Sequence, residues 1–276
     1  MIKIGEGEFS EVFRIEDGKV IKLFKNGYLN NESIKNEYSV AKYIGDNTNL
    51  APKVYEMTTI KDRIGFIMDE VKGELFQDVI DNNRENIEFY AKLLGKNQSE
   101  LHNTPNIQSL SYLDKIKDVF PNFLNSNGNF PQEVDTWLKE ILSSLSDELV
   151  ICHSDYMPYN LILKDNKLYA IDWAESGLGP AASSVARTLN FIVDSSEFPE
   201  SEYTKKSQLF IRYYLDAYTS NRLLDMEELE KCLLLSAFGE YNWAVYSNQV
   251  DDFSLREKEY ILANYKKFGS DKLINF

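Results

Sequence analysis

The residues best placed by type and spacing to do chemistry lie between Ile151 and Trp173. They are His153-Ser154-Asp155, then Asn160 five residues after that aspartate, then the apolar stretch Leu161-Ile162-Leu163, then Asp172 closing the next stretch, Tyr169-Ala170-Ile171. Phosphoryl transfer asks for a carboxylate that orients a hydroxyl and accepts its proton, together with oxygen ligands for a hard divalent cation. Asp155 suits the first role, and Asn160 with Asp172 suits the second. A polar turn before a hairpin would use the same residue types for local backbone bonds. The order of all four groups favours chemistry over that reading. Lys22 stands in Val20-Ile21-Lys22-Leu23-Phe24, flanked by apolar residues, so its ammonium needs a partner. Glu37, on a helix expected to follow, is the preferred one, and the pair would aim the ammonium at nucleotide phosphates. Glu32 is the rival, but it lies near the helix start, where the helix dipole already accounts for a carboxylate. Gly5-Glu6-Gly7-Glu8-Phe9-Ser10 puts Gly5, Gly7 and Ser10 where backbone can approach a phosphate. A dinucleotide fold would need a helix after these glycines, and Val12 to Ile15 reads as strand.

The elements that must carry these groups are of two kinds. Met1 to Ile4, Glu11 to Ile15, Val20 to Phe24, Val54 to Thr59 and Ile64 to Met68 read as short strands, separated by Gly-rich, Asp-Gly and Lys61-Asp62-Arg63 turns. Ile34, Tyr38, Ala41 and Ile44 recur at helical spacing, which predicts a helix over 31–44. After Gly73 helical periodicity dominates, over 87–102, 133–145, 207–218, 226–245 and 255–268. A hairpin of 161–163 with 168–171, turning at Asp165-Asn166, interrupts it. The reading is α+β, with a nucleotide-binding lobe over 1–69 and a helical lobe over 70–276 carrying the catalytic loop and substrate site.

The chain has 276 residues, of which 43% are apolar and 13% aromatic, which excludes disorder and supplies one large core or two small ones. No apolar run reaches the roughly 20 residues of a membrane span. The first residues lack the basic start and apolar stretch of a secretory signal, so a cytoplasmic protein starting at Met1 is expected. Cys152 and Cys232 are too few for a disulfide framework or a closed zinc site. With 44 acidic against 30 basic residues the charge is −14 at pH 7, which repels nucleic acid and anionic membrane and favours cationic partners.

These features resemble the aminoglycoside phosphotransferase/choline kinase family, small-molecule kinases with the two-lobed protein-kinase-like fold. Pro158, three residues after Asp155, is similar to that family's catalytic loop, whereas protein kinases carry a Lys two residues after theirs and this chain has Met157. Gly95 and Leu101-His102 resemble the family's helix ending in Leu-His. Gly179 to Thr188 resembles its run after the metal-binding aspartate. The resemblance extends from Gly5 to about Thr188. It implies a small antiparallel-sheet N-lobe, a larger mainly helical C-lobe, ATP and Mg²⁺ as cofactors, and transfer of the γ-phosphoryl group to a small molecule's hydroxyl. It also implies that Phe66 to Gly73 is the interlobe connector, with Met68 at the back of the adenine pocket and the Asp69 carbonyl and Val71 amide on the base edge. His102 and His153 fall at family-like positions, with a loop-positioning role expected of His153. Two positions depart from the family: Ser154 replaces a common Gly, and Ser184 replaces a common Asp that braces the catalytic loop. Glu6 and Glu8 are unfavourable near phosphates unless they face solvent.

For the acceptor, Glu175, Glu240, Asp251 and Asp252 are candidate carboxylates for an aminoglycoside-like cation, although solvated faces account for them as well. A choline-like cation would want an aromatic cage, for which Tyr241, Trp243 and Tyr246 are candidates against plain core packing. The expected partners are thus a nucleotide and a small hydroxylated cation, with no nucleic acid and no membrane. A catalytically inactive kinase-fold module that binds nucleotide is the reading from another class. The presence of Lys22, Asp155, Asn160 and Asp172 speaks against it, and Ser184 speaks for it.

Overall fold

An apolar run on both sides of Lys22 calls for a strand covered on both faces. The computed structural model, which describes residues 1–105, 107–119, 129–194 and 200–268, puts it in the middle of a five-stranded antiparallel sheet. The strands are β1 (Ile2–Glu6), β2 (Ser10–Glu16), β3 (Lys19–Phe24), β4 (Val54–Ile60) and β5 (Arg63–Asp69), in the order β1-β2-β3-β5-β4. Lys22 pairs across the ladder with Val12 on one side and Phe66 on the other. Between β3 and β4 runs α1 (Asn31–Asn47), capped by the Asn30 side chain, which accepts from the Ser33 amide at 2.8 Å. Its buried stripe is Ile34, Glu37, Val40, Ala41 and Ile44.

The chain continues through β6 (Glu74–Leu75), α2 (Phe76–Asn82), α3 (Ile87–His102), α4 (Ile116–Val119), α5 (Gln132–Ser143) and β7 (Val150–Cys152). It then forms β8 (Leu161–Lys164), β9 (Lys167–Ala170), β10 (Gly177–Gly179), α6 (Ala181–Asp194), α7 (Glu200–Thr219), α8 (Met226–Tyr246) and α9 (Asp252–Phe268). An antiparallel sheet region is thus followed by a mainly helical one. Among the described residues no helix is long and apolar enough to cross a membrane.

Contacts gather the chain into two compact units. The first holds residues 1–113, 153–176 and 209–222. Besides the five-stranded sheet and α1 it contains α2, α3 and a small sheet of order β6-β8-β9. The β8–β9 turn has Asp165 and Asn166 at φ 50° and 57°, and the β4–β5 turn has Lys61 and Asp62 at 47° and 65°. Both have the two left-handed central residues of a type I′ hairpin. Gly95 on α3 lies so close to the backbone of Tyr214 that a Cβ there would collide with the Tyr214 carbonyl oxygen. That contact accounts for the glycine without any chemical role.

The second unit holds residues 114–152 and 177–208 and the chain from 223 onward. It packs α5, α6, α8 and α9 with an antiparallel pair of β7 and β10. Phe130 meets Phe238 and Tyr241 at ring separations of 5.6 and 5.3 Å, and Trp137 meets Tyr265 at 5.5 Å. Both cysteines are buried and free, and burial pushes the Cys152 thiol up to about 12, so it stays protonated and inert.

Candidate active site

Within the first unit a cavity of about 1020 Å³ is lined by Gly5, Gly7 and Ser10 from the β1–β2 turn, by Lys22, and by Met68, Asp69 and Val71 after β5. Asn160, Asp172 and Tyr159 line it too. Val12, Val20, Ile162 and Ile171 give it apolar walls. The size is at the upper end for small-molecule sites, large enough for a nucleoside triphosphate.

Lys22 is 6% exposed and Glu37 1% exposed, and the ammonium lies 2.5 Å from Glu37 Oε1 and 3.0 Å from Asp172 Oδ1. Burial alone would pull the lysine pKa down, but the Glu37 and Asp172 carboxylates more than offset it, so the net shift is upward and the group stays charged. Glu32 is exposed on the first turn of α1. Lys22, Glu37 and Asp172 therefore form one cluster drawn from β3, α1 and the end of the β8–β9 hairpin.

The loop from His153 to Asn160 is fixed from several sides. His153 is fully buried; its Nε2 lies 3.0 Å from the Ile171 carbonyl, and its Nδ1 accepts from the Asp155 amide at 3.3 Å. Only a neutral imidazole protonated at Nε2 satisfies both bonds, and burial holds the histidine pKa below its usual value. Ile171 also donates its amide to the Asn160 carbonyl at 3.0 Å. Both polar groups of Ile171 are thus spent on the loop, and Asn160 and Asp172 are held in mutual register. The Asn160 side-chain nitrogen lies 2.7 Å from Asp155 Oδ2 and 3.1 Å from the Asp155 carbonyl. Two acceptors there require the NH₂ end, which turns the amide oxygen away from them. That oxygen and the Asp172 carboxylate, 45% exposed, are a donor set of the kind a hard divalent cation takes.

Asp155 is half-buried, and its Oδ1 accepts from the Tyr159 hydroxyl at 2.7 Å. Ser154, just before it, has φ 64°, a left-handed conformation that suits the glycine the family commonly carries there. Asp172 has φ 63°. Behind the loop, buried Tyr156 donates to Asn97 Oδ1, and Asn97 donates to the Leu168 carbonyl at 3.1 Å, which ties the loop to α3 and β9. His102 is buried with Nδ1 2.6 Å from the Tyr218 hydroxyl, and burial, helped by the Arg222 cation, lowers its pKa to about 3.

The acidic residues of the glycine loop are handled by charge. Glu6 bonds Lys3 at 2.5 Å and Lys25 at 3.0 Å, which lowers its carboxyl to about 2, and Lys25 also donates to the Gly7 carbonyl at 2.9 Å. Glu8 is exposed. At the connector the Asp69 carboxylate takes Lys19 at 2.5 Å and the Tyr55 hydroxyl at 2.9 Å, and Glu70 takes the Arg14 guanidinium.

The acceptor candidates are scattered. Glu175 is exposed in the first unit, after Trp173. In the second unit Glu240 pairs with Arg187 at 3.6 Å, while Tyr241 is buried against Phe130 and accepts from Lys258 at 3.1 Å. Asp251 caps α9, its carboxylate accepting from the Ser254 amide at 2.9 Å. Asp252 is exposed on the first turn of α9, and Trp243 is 63% exposed with its ring 6.3 Å from that of Tyr246.

Tyr159, Asn97 and Tyr156 are the site residues that motif reading misses. Tyr156 and Tyr159 sit inside the motif itself, but their partners are set by tertiary placement. Asn97 lies on α3 at a buried position, where an unpaired amide would be costly, and that was the one available signal.

Comparison with known proteins bears on the family and the fold. Human ethanolamine kinase 1 is 32% identical over 124 residues, 42% of this chain and 27% of that protein. Mouse ethanolamine kinase 2 is 28% identical over 145 residues, 48% of this chain and 37% of that protein. The match thus spans 27% and 37% of these relatives' lengths, well under half of either. Among solved structures, an amicoumacin kinase in complex with AMP-PNP and Ca²⁺ superposes with a TM-score of 0.72 at 14% identity, covering 94% of this chain and 86% of that one. A choline kinase from Cryptosporidium parvum Iowa II gives 0.60 at 16% identity, covering 97% and 89%. The fold is therefore the kinase-like one, with an antiparallel-sheet N-lobe and a helical C-lobe. Residues 2–229 match the phosphotransferase enzyme family, and with its loop, its lysine cluster and this fold the chain belongs to that family.

Proposed function

We propose that the protein transfers the γ-phosphoryl group of ATP to a hydroxyl of a small cationic molecule, using Mg²⁺. The observation that carries this reading is that Lys22, Asn160 and Asp172 line one cavity, with Glu37 paired to the lysine and Asp155 bonded to the Asn160 side chain. Asn160 and Asp172 would hold the cation, which when bound draws charge off the phosphates. Lys22, aimed by Glu37, holds the phosphates, and the turn bearing Gly5, Gly7 and Ser10 covers them with backbone amides. Met68, Asp69 and Val71 form the adenine edge. Asp155 orients the acceptor hydroxyl and receives its proton as the oxygen attacks the γ-phosphorus. In this division residues 1–69 serve the nucleotide and residues 70–276 the chemistry and the acceptor, in a cytoplasmic protein.

A cationic acceptor is favoured by the −14 charge and by the curated relatives, which are named for ethanolamine. Among the earlier candidates, exposed Trp243 beside Tyr246 suits a cation–π contact better than Tyr241, which Lys258 already occupies. An inactive nucleotide-binding module gives no account of a carboxylate that accepts from two cavity-lining residues, Tyr159 and Asn160. Turnover of MgATP against ethanolamine, choline and aminoglycosides tests the proposal. Phosphorylation of at least one is expected, and tight ATP binding with no product from any of them would overturn it.

A further inference from the structure

The Asp155 carboxylate already has a hydroxyl on it. Tyr159 donates to Oδ1 at 2.7 Å while Asn160 donates to Oδ2 at 2.7 Å. The two donors differ in what they can give up. Asn160 is buried, its amide bonds the Met157 carbonyl at 2.8 Å, and its carbonyl takes the Ile171 amide at 3.0 Å, so its side chain has nowhere to go. Tyr159 is 42% exposed, lines the cavity, and reaches Asp155 with a hydroxyl at the end of a rotatable side chain. A phenol O–H on this carboxylate is the same donor–acceptor arrangement that an alcohol O–H must make before transfer, at a distance in the normal range.

We propose that Tyr159 selects the acceptor, its hydroxyl holding the place beside Asp155 that an acceptor hydroxyl takes during transfer. The inference rests on the phosphotransferase reading and extends it to how water is refused. A tethered hydroxyl competes at high effective concentration, and a water molecule brings no other contact with which to displace it. An acceptor that binds through the rest of its structure brings that binding energy to the exchange. In the side reaction held back by Tyr159, a water oxygen bonds to the γ-phosphorus, the bond from that phosphorus to the bridging oxygen breaks to release ADP, and the water proton passes to Asp155.

Tyr159→Phe keeps the ring and removes the donor. Acceptor-free hydrolysis of MgATP should rise about tenfold, the scale of one hydrogen bond to a charged group. The apparent KM should fall for whichever of two probes, ethanolamine or gentamicin, the unmodified protein phosphorylates. Unchanged hydrolysis would overturn the proposal, as would hydrolysis and transfer falling together, the mark of a group that merely steadies Asp155. A second readout needs no turnover. In protein labelled with ¹³C at tyrosine Cζ, the Tyr159 resonance, assigned by its loss in Tyr159→Phe, should shift in Asp155→Ala, and a resonance that stays put would also overturn it. If the unmodified protein hydrolyses no ATP and phosphorylates none of ethanolamine, choline and the aminoglycosides, the phosphotransferase reading falls and this inference with it. Transfer by the unmodified protein with unchanged Tyr159→Phe hydrolysis removes this inference alone.

Discussion

Lys22 lines the cavity and Asp155 is bonded to Asn160, which lines it too, but the two charged groups are held by opposite means. Lys22 is buried in the sheet, and its partner Glu37 is more buried still, so each charge depends on the other for its place in a low-dielectric interior. Asp155 is half-buried on a loop, and its carboxylate is held by donors from Tyr159 and Asn160. The first arrangement ties geometry to stability, because losing Lys22 leaves buried Glu37 without its cation and losing Glu37 leaves Lys22 with the half-exposed Asp172 alone. The second separates them, because replacing the carboxylate changes the chemistry and leaves the packing behind it, Tyr156 on Asn97, untouched. In the proposed phosphotransferase, rigidity and reactivity would thus come from different residues.

The largest expected effect falls on the reactive side. Asp172→Ala should abolish measurable turnover while the protein still melts cooperatively, since that side chain is 45% exposed. Asp155→Asn should lower kcat by roughly 10²–10⁴-fold with a modest change in ATP affinity and an unchanged urea midpoint. A large fall in the Asp155→Asn midpoint would erase the contrast between the two regions. On the buried side, Glu37→Ala should cost about 3–5 kcal/mol in a urea titration, because Lys22 loses its nearest counter-charge. Replacing both, Lys22→Met with Glu37→Leu, should recover most of that stability and none of the ATP use. A double variant as unstable as the single one would mean that shape, not charge, dominates at this pair.

The same contrast explains what could be read in the sequence. Asp155, Asn160 and Asp172 lie within one 18-residue segment, so their spacing alone suggested a function. Glu37 was preferred because the helix dipole already accounts for Glu32 near the helix start, and the structure puts Glu37 on the buried stripe with Ile34 and Ala41. The strands of the sheet and α3 were legible for the same local reason, as alternation and helical spacing. The short strands β6, β7 and β10 were not, since two or three residues carry no period and their pairing partners are distant in the chain. Nor was α6, whose first turn is Ala181-Ala182-Ser183-Ser184 and offers small residues where periodicity needs large apolar ones. The anchoring bonds of Tyr156, Asn97 and Tyr159 depend on which loops meet, which local pattern does not encode.

A smaller effect concerns pH and the buried His102. Its folded value of about 3 lies below the 6.5 of an unperturbed histidine, so the fold favours the neutral ring. Above pH 6.5 both states are neutral and this contribution to stability is complete. As pH falls the unfolded chain takes up a proton that the folded one refuses, and stability is lost progressively until about pH 3. Between pH 7 and pH 5 the loss from this group should be about 2 kcal/mol. His102→Gln should shrink the difference between the urea-derived unfolding free energies at the two pH values by that amount. Equal free-energy differences in both proteins would show that His102 is not the group responsible.

The smallest effect separates backbone strain from side-chain contact at Ser154. Its φ of 64° is left-handed, a conformation that costs a residue bearing a Cβ about 1–3 kcal/mol and costs glycine almost nothing. Glycine in turn loses more freedom on folding, by roughly 0.5–1 kcal/mol, which offsets part of that gain and leaves about 1 kcal/mol for Ser154→Gly. In a chain of this size that is a rise of about 2–4 °C in Tm. Catalysis should change little, because His153 is held by the Ile171 carbonyl and Asp155 by His153 Nδ1, on either side of the substituted residue. Ser154→Ala is the control: it removes the hydroxyl and keeps the Cβ, so its Tm should stay near that of the unmodified protein. If Ala and Gly instead lower Tm alike, the hydroxyl outweighs the backbone, and the loop before Asp155 is held by a side-chain bond and not merely tolerated in a strained conformation.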